Sequence, residues 1–333
     1  MLDPFWIMVA VIILALVFDF TNGWHDTANA IATVVGTRTL SPAKAIMMAA
    51  VLNLAGAFFS TEVAKTIGKD IVNPTLITQV VLISALLAVI TWNIVTVLMG
   101  LPTSSSHALI GSLVGAAIAY QGPEVLKVGG ILEILVALLV SPILGALVGA
   151  GLIKLIRSIF KNTPRSKVKR VFRPLQIISS ALMAFSHGAA DAQKAMGIIM
   201  MALIAAGYQS ADNMTVPFWV ILSAGLAMAL GTAAGGRKII HTIGSRLSRL
   251  ESPQGFAAET GAALILATVA KLGIPVSTTH TITGSIIGVG AAERVKSVRW
   301  TVAGKIVSAW VLTLPVTALI GYLYYFVLQF LEK

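Results

Sequence analysis

The sequence predicts an all-α polytopic membrane protein made of two related halves. Three observations carry that prediction: the composition, the length of the apolar segments, and an internal repeat. Of the 333 residues, 57% are hydrophobic and 11% are charged, where a soluble domain carries about 25% charged residues. The mean hydropathy is +0.90. Several segments run for about 20 residues almost without charge, the length a helix needs to cross a bilayer. This excludes a soluble enzyme and a disordered chain. It also speaks against an outer-membrane barrel, whose strands alternate apolar and polar residues. The absence of cysteine removes disulfides and thiolate chemistry. The net charge of +11 belongs to loops facing the cytoplasm rather than to a nucleic-acid surface, so no nucleic-acid partner is expected.

In order along the chain, apolar blocks fall at 5–35, 43–60, 76–99, 103–120 and 129–153. The first has no basic flank and no small-residue cleavage site, so it reads as a membrane helix rather than a removable signal peptide. A basic, acid-free stretch follows from Lys154 to Arg173. Five more blocks lie at 174–207, 217–236, 256–272, 276–292 and 300–330. The expected organisation is repeat A over 1–153, a cytoplasmic linker over 154–173, and repeat B over 174–333.

The repeat rests on three matches in the same order. "GLPTSSSHALIGSLVGAA" (100–117) aligns without a gap on "GIPVSTTHTITGSIIGVG" (273–290). "KTIG" (65–68) parallels "HTIG" (241–244), and "NGWHDTANA" (22–30) parallels "SHGAADAQKA" (186–195). An odd number of crossings per half inverts the second copy. With the linker inside, Arg38, Lys44, Arg237, Lys238, Arg246, Arg249, Arg294, Lys296, Arg299 and Lys305 share its side. Only Lys65, Lys69, Lys127, Lys271 and Lys333 fall outside. That bias predicts an inverted repeat in the plasma (inner) membrane with both termini outside. The Ser-rich blocks are read either as single broken crossings or as opposed re-entrant hairpins meeting near the midplane.

Those blocks are the first candidate site. A Gly followed two residues later by Pro stops one helix, and the hydroxyls after it start the next. Ser104, Ser105 and Ser106 fall in one first turn, and Ser277, Thr278 and Thr279 in the other. A helix start presents free N–H groups and the positive end of the helix dipole. Two such ends brought together would receive an oxyanion inside the membrane. A single cluster would instead read as hydroxyls bonded back to their own helix. The repetition, with Gly-x-Pro before and His after, favours the site.

Asp26 and Asp191 lie inside apolar blocks, where charge is costly and functional. Asn29 and Lys194 each follow one of them by three residues and share its helix face; Gln193 adds an amide. Carboxylates repel an anionic substrate, so a proton or sodium ion has to enter with it. Asp26 and Asp191 are therefore candidate coupling groups. Glu259, His107 and His280 are further candidates for the coupled proton or cation, although either histidine could instead cap a carbonyl. A sodium ion, if used, is expected near Asp26, Asn29 and Asp191. A rival reading is an intramembrane serine hydrolase using Ser106 or Ser285 with a histidine. The symmetric duplication argues against it, since a hydrolase needs one asymmetric site.

At these residues the chain resembles the inorganic phosphate transporter (PiT) family, in its bacterial low-affinity permease branch. The family carries Gly-x-Asn-Asp-x-x-Asn twice, with Pro-x-Ser-x-x-His hairpins. The first signature here is Gly23-Trp24-His25-Asp26-Thr27-Ala28-Asn29, and the second is Gly188-Ala189-Ala190-Asp191-Ala192-Gln193-Lys194. His25 and Ala190 depart from the usual Asn, and Lys194 departs from the final Asn. A fixed ammonium there could replace one bound sodium ion. The resemblance implies inverted repeats with re-entrant hairpins, a homodimer and no resident cofactor. It also implies phosphate symport by alternating access, coupled to protons sooner than to sodium, with a divalent metal-phosphate complex as a possible cargo. Sulfate transport and a passive anion channel are the alternatives.

Overall fold

The computed structural model describes residues 3–212 and 214–332; the terminal Lys333, expected on the outer side, lies outside them. Among the described residues there are twelve α-helices and no sheet. The first half runs α1 (Pro4–Gly36), α2 (Pro42–Ala57), α3 (Glu62–Asp70), α4 (Gln79–Met99), α5 (Ser105–Gln121) and α6 (Val128–Ile159). The second runs α7 (Arg165–Ala205), α8 (Phe218–Ala234), α9 (Arg237–His241), α10 (Ser252–Leu272), α11 (Thr278–Glu293) and α12 (Trp300–Leu328), with a π-helical turn, Thr242–Leu247, continuing α9. The order of elements therefore occurs twice. Isolated β-bridges at Val72–Leu126 and Ser248–Val298 pin matching places in the two halves.

Helices α1, α4, α6, α7, α10 and α12 are long and apolar enough to cross a bilayer. The second block of each half is one helix that is followed by a sharp bend into a further short helix: α2 and α3 meet at 70°, and α8 meets the α9 segment at 65°. The basic stretch 154–173 is also less of a linker than its composition suggests. Its ends ride on the last turns of α6 and the first turns of α7, leaving 160–164 between them. Lys and Arg are good helix formers, so charge alone does not end a helix.

The Gly-x-Pro signals act as read. Gly100 (φ +70°) ends α4 and Gly273 (φ +71°) ends α10 in the left-handed region, where a side chain costs roughly 1–2 kcal/mol. Ser104 and Ser277 then cap α5 and α11, each accepting a hydrogen bond at 3.2 Å, from His107 N and His280 N respectively. Packing crosses between the halves. Helix α5 lies along α12, α11 along α6, α1 along α8 and α7 along α2.

The glycines of the two signatures explain the last two contacts. A Cβ on Gly23 would stand 2.3 Å from Met228 O, and one on Gly188 would stand 2.2 Å from Asn53 O. Small residues let membrane helices approach backbone to backbone. Gly23→Ala and Gly188→Ala are each expected to destabilise the protein by about 1–3 kcal/mol, the usual cost of overpacking. Thermal unfolding in detergent measures this; unchanged midpoints would mean that the helices do not hold that separation.

Candidate functional site

The middle of α1 carries Asp26, and the two hairpin tips close on it. Its Oδ2 accepts from Ser105 Oγ of α5 at 3.0 Å, and its Oδ1 accepts from Thr279 Oγ1 of α11 at 3.2 Å. His25 Nδ1 lies 2.7 Å from Oδ1, and the other ring nitrogen lies 3.1 Å from Thr103 Oγ1. One turn on, Asn29 Nδ2 donates to Thr279 Oγ1 at 2.9 Å and to Thr278 Oγ1 at 3.3 Å.

The second signature, on α7, joins from the other side. Lys194 Nζ lies 2.8 Å from Asp191 Oδ1 and donates to Ser105 Oγ at 2.8 Å. Thr278 Oγ1 donates to Asp191 Oδ2 at 3.3 Å. Ser105 thus bridges the ammonium of one half to the carboxylate of the other. The tips also touch directly, because Ser106 Oγ donates to Val276 O at 2.9 Å. Every one of these side chains is buried. The two tips and both signatures meet in one buried polar cluster.

Chemically, the cluster offers an ammonium, hydroxyls of Ser105, Thr278 and Thr279, and two helix starts whose first-turn N–H groups lack intrahelical acceptors. That donor set suits a tetrahedral oxyanion. It also holds carboxylates. Asp26, His187 and Asp191 each offer one ligand atom, all within 4.8 Å of one another, a spacing that could hold a cation beside the anion. His187 Nδ1 is fixed by Asn53 Oδ1 at 3.1 Å, and Asn53 Nδ2 in turn donates to Thr232 Oγ1 at 2.8 Å.

Some expected residues lie elsewhere. Gln193 is turned out of the pocket. Its Oε1 accepts from Ala64 N at the start of α3, at 3.1 Å, and its Nε2 donates to Ala189 O at 2.5 Å. Ser104 and Ser277 act as caps. His107 and His280 stand one turn behind the tips, rings 4.7 Å apart, with His280 stacked on Trp310 at 3.7 Å. Glu259 forms a separate buried cluster two turns beyond Asp26 along α1. Thr33 and Ser179 (2.5 Å) donate to it, and Gln176 Nε2 approaches at 3.4 Å. The hydrolase reading fails on geometry. Ser106 Oγ and Ser285 Oγ both donate to backbone carbonyls, Val276 O and Ala258 O, at 2.9 Å.

Sequence reasoning saw His187 only as a residue flanking the second signature, with no role assigned, and missed Thr103 and Asn53. It also missed a cleft of about 660 Å³ lined by Gly100, Leu101 and Pro102 together with Arg237, Lys238, Arg246 and Lys305. The cleft reaches the residue before Thr103 and carries positive charge.

Comparison with known proteins decides the family. The model of the phosphate transporter family matches residues 22–321. The chain belongs to that family. It is 49% identical to a Rhizobium meliloti protein named "Probable low-affinity inorganic phosphate transporter", over 97% of this chain and 96% of the relative. A Bacillus subtilis protein of the same name is 47% identical, over 96% and 97% respectively. A solved structure titled "The sodium-dependent phosphate transporter" superposes with a TM-score of 0.89 at 26% identity, covering 97% of this chain and 99% of that one. The chain is a multi-pass membrane protein of a transporter family and not an enzyme.

Within this family member, Ser105 is the hydroxyl on which both halves depend. Ser105→Ala leaves Asp26 and Lys194 each one partner short in a buried site, at a cost of about 1–3 kcal/mol. It is expected to lower the unfolding midpoint and to weaken protection by added phosphate; an unaltered phosphate response would remove Ser105 from the site.

Proposed function

We propose that this chain is a proton-coupled phosphate symporter of the plasma membrane, working by alternating access with the two halves in inverted orientation. The observation that carries the reading is the joint hold of both hairpin tips on Asp26, beside the Asp191–Lys194 pair. Phosphate is placed among Ser105, Thr278, Thr279, Asn29 and Lys194. An anion brought next to Asp26 and Asp191 needs a positive charge to travel with it. The relatives' names support phosphate as cargo.

Lys194 favours protons over sodium. Its ammonium already sits between Asp191 and Ser105, where a bound alkali cation would otherwise have to balance the carboxylate. A divalent metal-phosphate complex is a compatible cargo, with the metal facing Asp26, His187 and Asp191. The basic cleft beside Pro102 attracts anions from the side expected to be cytoplasmic. A homodimer is proposed from the resemblance alone.

Reconstituted protein and radiolabelled phosphate test the reading. Uptake is expected under an inward proton gradient and not under a sodium gradient alone. Equilibration without accumulation would mean a channel, and stronger competition by sulfate than by unlabelled phosphate would mean a sulfate carrier. Asp26→Asn is expected to abolish uptake while the protein stays folded.

Lys194→Asn makes the second signature end as the first does. It is expected to depress proton-driven uptake and to make the residual uptake respond to sodium. Wild-type rates in both gradients would show that the ammonium takes no part in coupling.

A further inference from the structure

Helix α1 carries a polar stripe that runs well beyond the pocket. Asp19, Asn22, Asp26, Asn29 and Thr33 follow at steps of three and four residues, which puts them on one face of the helix. Asp19 lies seven residues before Asp26, about 10 Å along the axis. It is 0% exposed, as is Asn22. Neither carboxylate oxygen of Asp19 has a donor at full hydrogen-bond geometry; the neutral amide of Asn22 is the neighbouring donor. The position matching Asp19 in the second half is Ala184, so the acid is no part of the repeated architecture.

A buried carboxylate whose neighbouring donor is a single neutral amide is costly to keep charged. The other buried acids on or against α1 are better solvated: Asp26 has Ser105 and Thr279, and Glu259 has Thr33 and Ser179. The charged groups acting on Asp19 are Asp191 and Lys194 of α7. Helices α4 and α8, which also pack along α1, carry no titratable residue. Glu259 of α10 meets α1 at Thr33, at the opposite end of the stripe. Around the proposed phosphate site, three carboxylates, Asp19, Asp26 and Asp191, therefore face one ammonium, with His25 beside Asp26 and His187 beside Asp191. An arriving phosphate makes that imbalance worse.

We propose that Asp19 is the group that binds the co-transported proton, with Asn22 lining the polar path between it and Asp26. The carboxylate takes one proton from one side of the membrane as phosphate enters, and releases that proton on the other side as phosphate leaves. No bond to phosphate is made or broken. A hard metal cation gathers several oxygen ligands, more than the side chains of Asp19 and Asn22 supply between them. This inference rests on proton-coupled phosphate transport as proposed above.

The test uses the full-length protein in proteoliposomes. Asp19→Asn is expected to lose phosphate accumulation driven by a proton gradient while retaining exchange of internal for external phosphate at equal pH. Asp19→Glu, which keeps a titratable group, is expected to retain accumulation with a displaced pH profile. Asp19→Asn that still accumulates phosphate under a proton gradient would overturn the assignment, as would its loss of exchange. If Asp19→Asn does not fold, Asp19→Glu decides: a pH profile identical to wild type overturns the proposal. Failure of the wild type itself to take up phosphate would instead refute the transport reading.

Discussion

Asp26 lies in the middle of a 33-residue apolar helix, where no bulk water reaches it, so protein groups have to solvate its carboxylate. The groups that do so come from α5, from α11 and from its own neighbour His25. Each oxygen is satisfied by a different hairpin, and Ser105 passes the connection on to Lys194 and so to Asp191. Broken helices are tolerated at membrane depth only where other protein groups take up their free ends. The hairpin tips and the carboxylate solve each other's problem. Moving any one of them strands polar groups on the others.

The two halves repeat in order, but the pocket they form is not symmetric. His25 is matched by Ala190 and Asn29 by Lys194. The buried Glu259 of α10 is matched in α4 by Leu86, which is equally buried. Thr33, one of its partners, is matched by Ile198, also buried. Each half keeps the helix–helix glycines and the hydroxyl-rich caps, which build the frame. The charged residues are distributed unequally within that frame. This division is what a transporter needs: a repeated scaffold that can rock about a centre, and a polar content that tells one side from the other.

Much of this was readable from local sequence. Gly-x-Pro followed by hydroxyls specifies a helix stop and start whatever the rest of the chain does, and a carboxylate in an apolar run has to lie in a polar pocket. The residues that escaped detection depend on contacts from distant segments. Gln193 belongs to the signature, yet it serves the N-terminus of α3, because α2 and α3 bend apart and leave the first N–H groups of α3 facing α7. Nothing in the sequence near Gln193 shows that bend. Asn53 and His187 find each other across the α2–α7 crossing, and each looks ordinary alone. The basic stretch misled because composition marks the side of a membrane but not the end of a helix.

The crossed packing also bears on biosynthesis. Helix α5 lies against α12, and α6 against α11, so each waits for a partner near the far end of the chain. At a translation rate of about 5–20 residues per second, the delay is on the order of ten seconds or more. During that interval the serine-rich tip of α5 has neither its carboxylate network completed nor its long neighbour in place. The nascent chain must shelter it against the translocon or against α4. The finished protein is consequently a clasp closed last by its C-terminal helix, whose start holds the other half's tip through Trp310 and Pro102 while its end meets Tyr120 at the far end of α5.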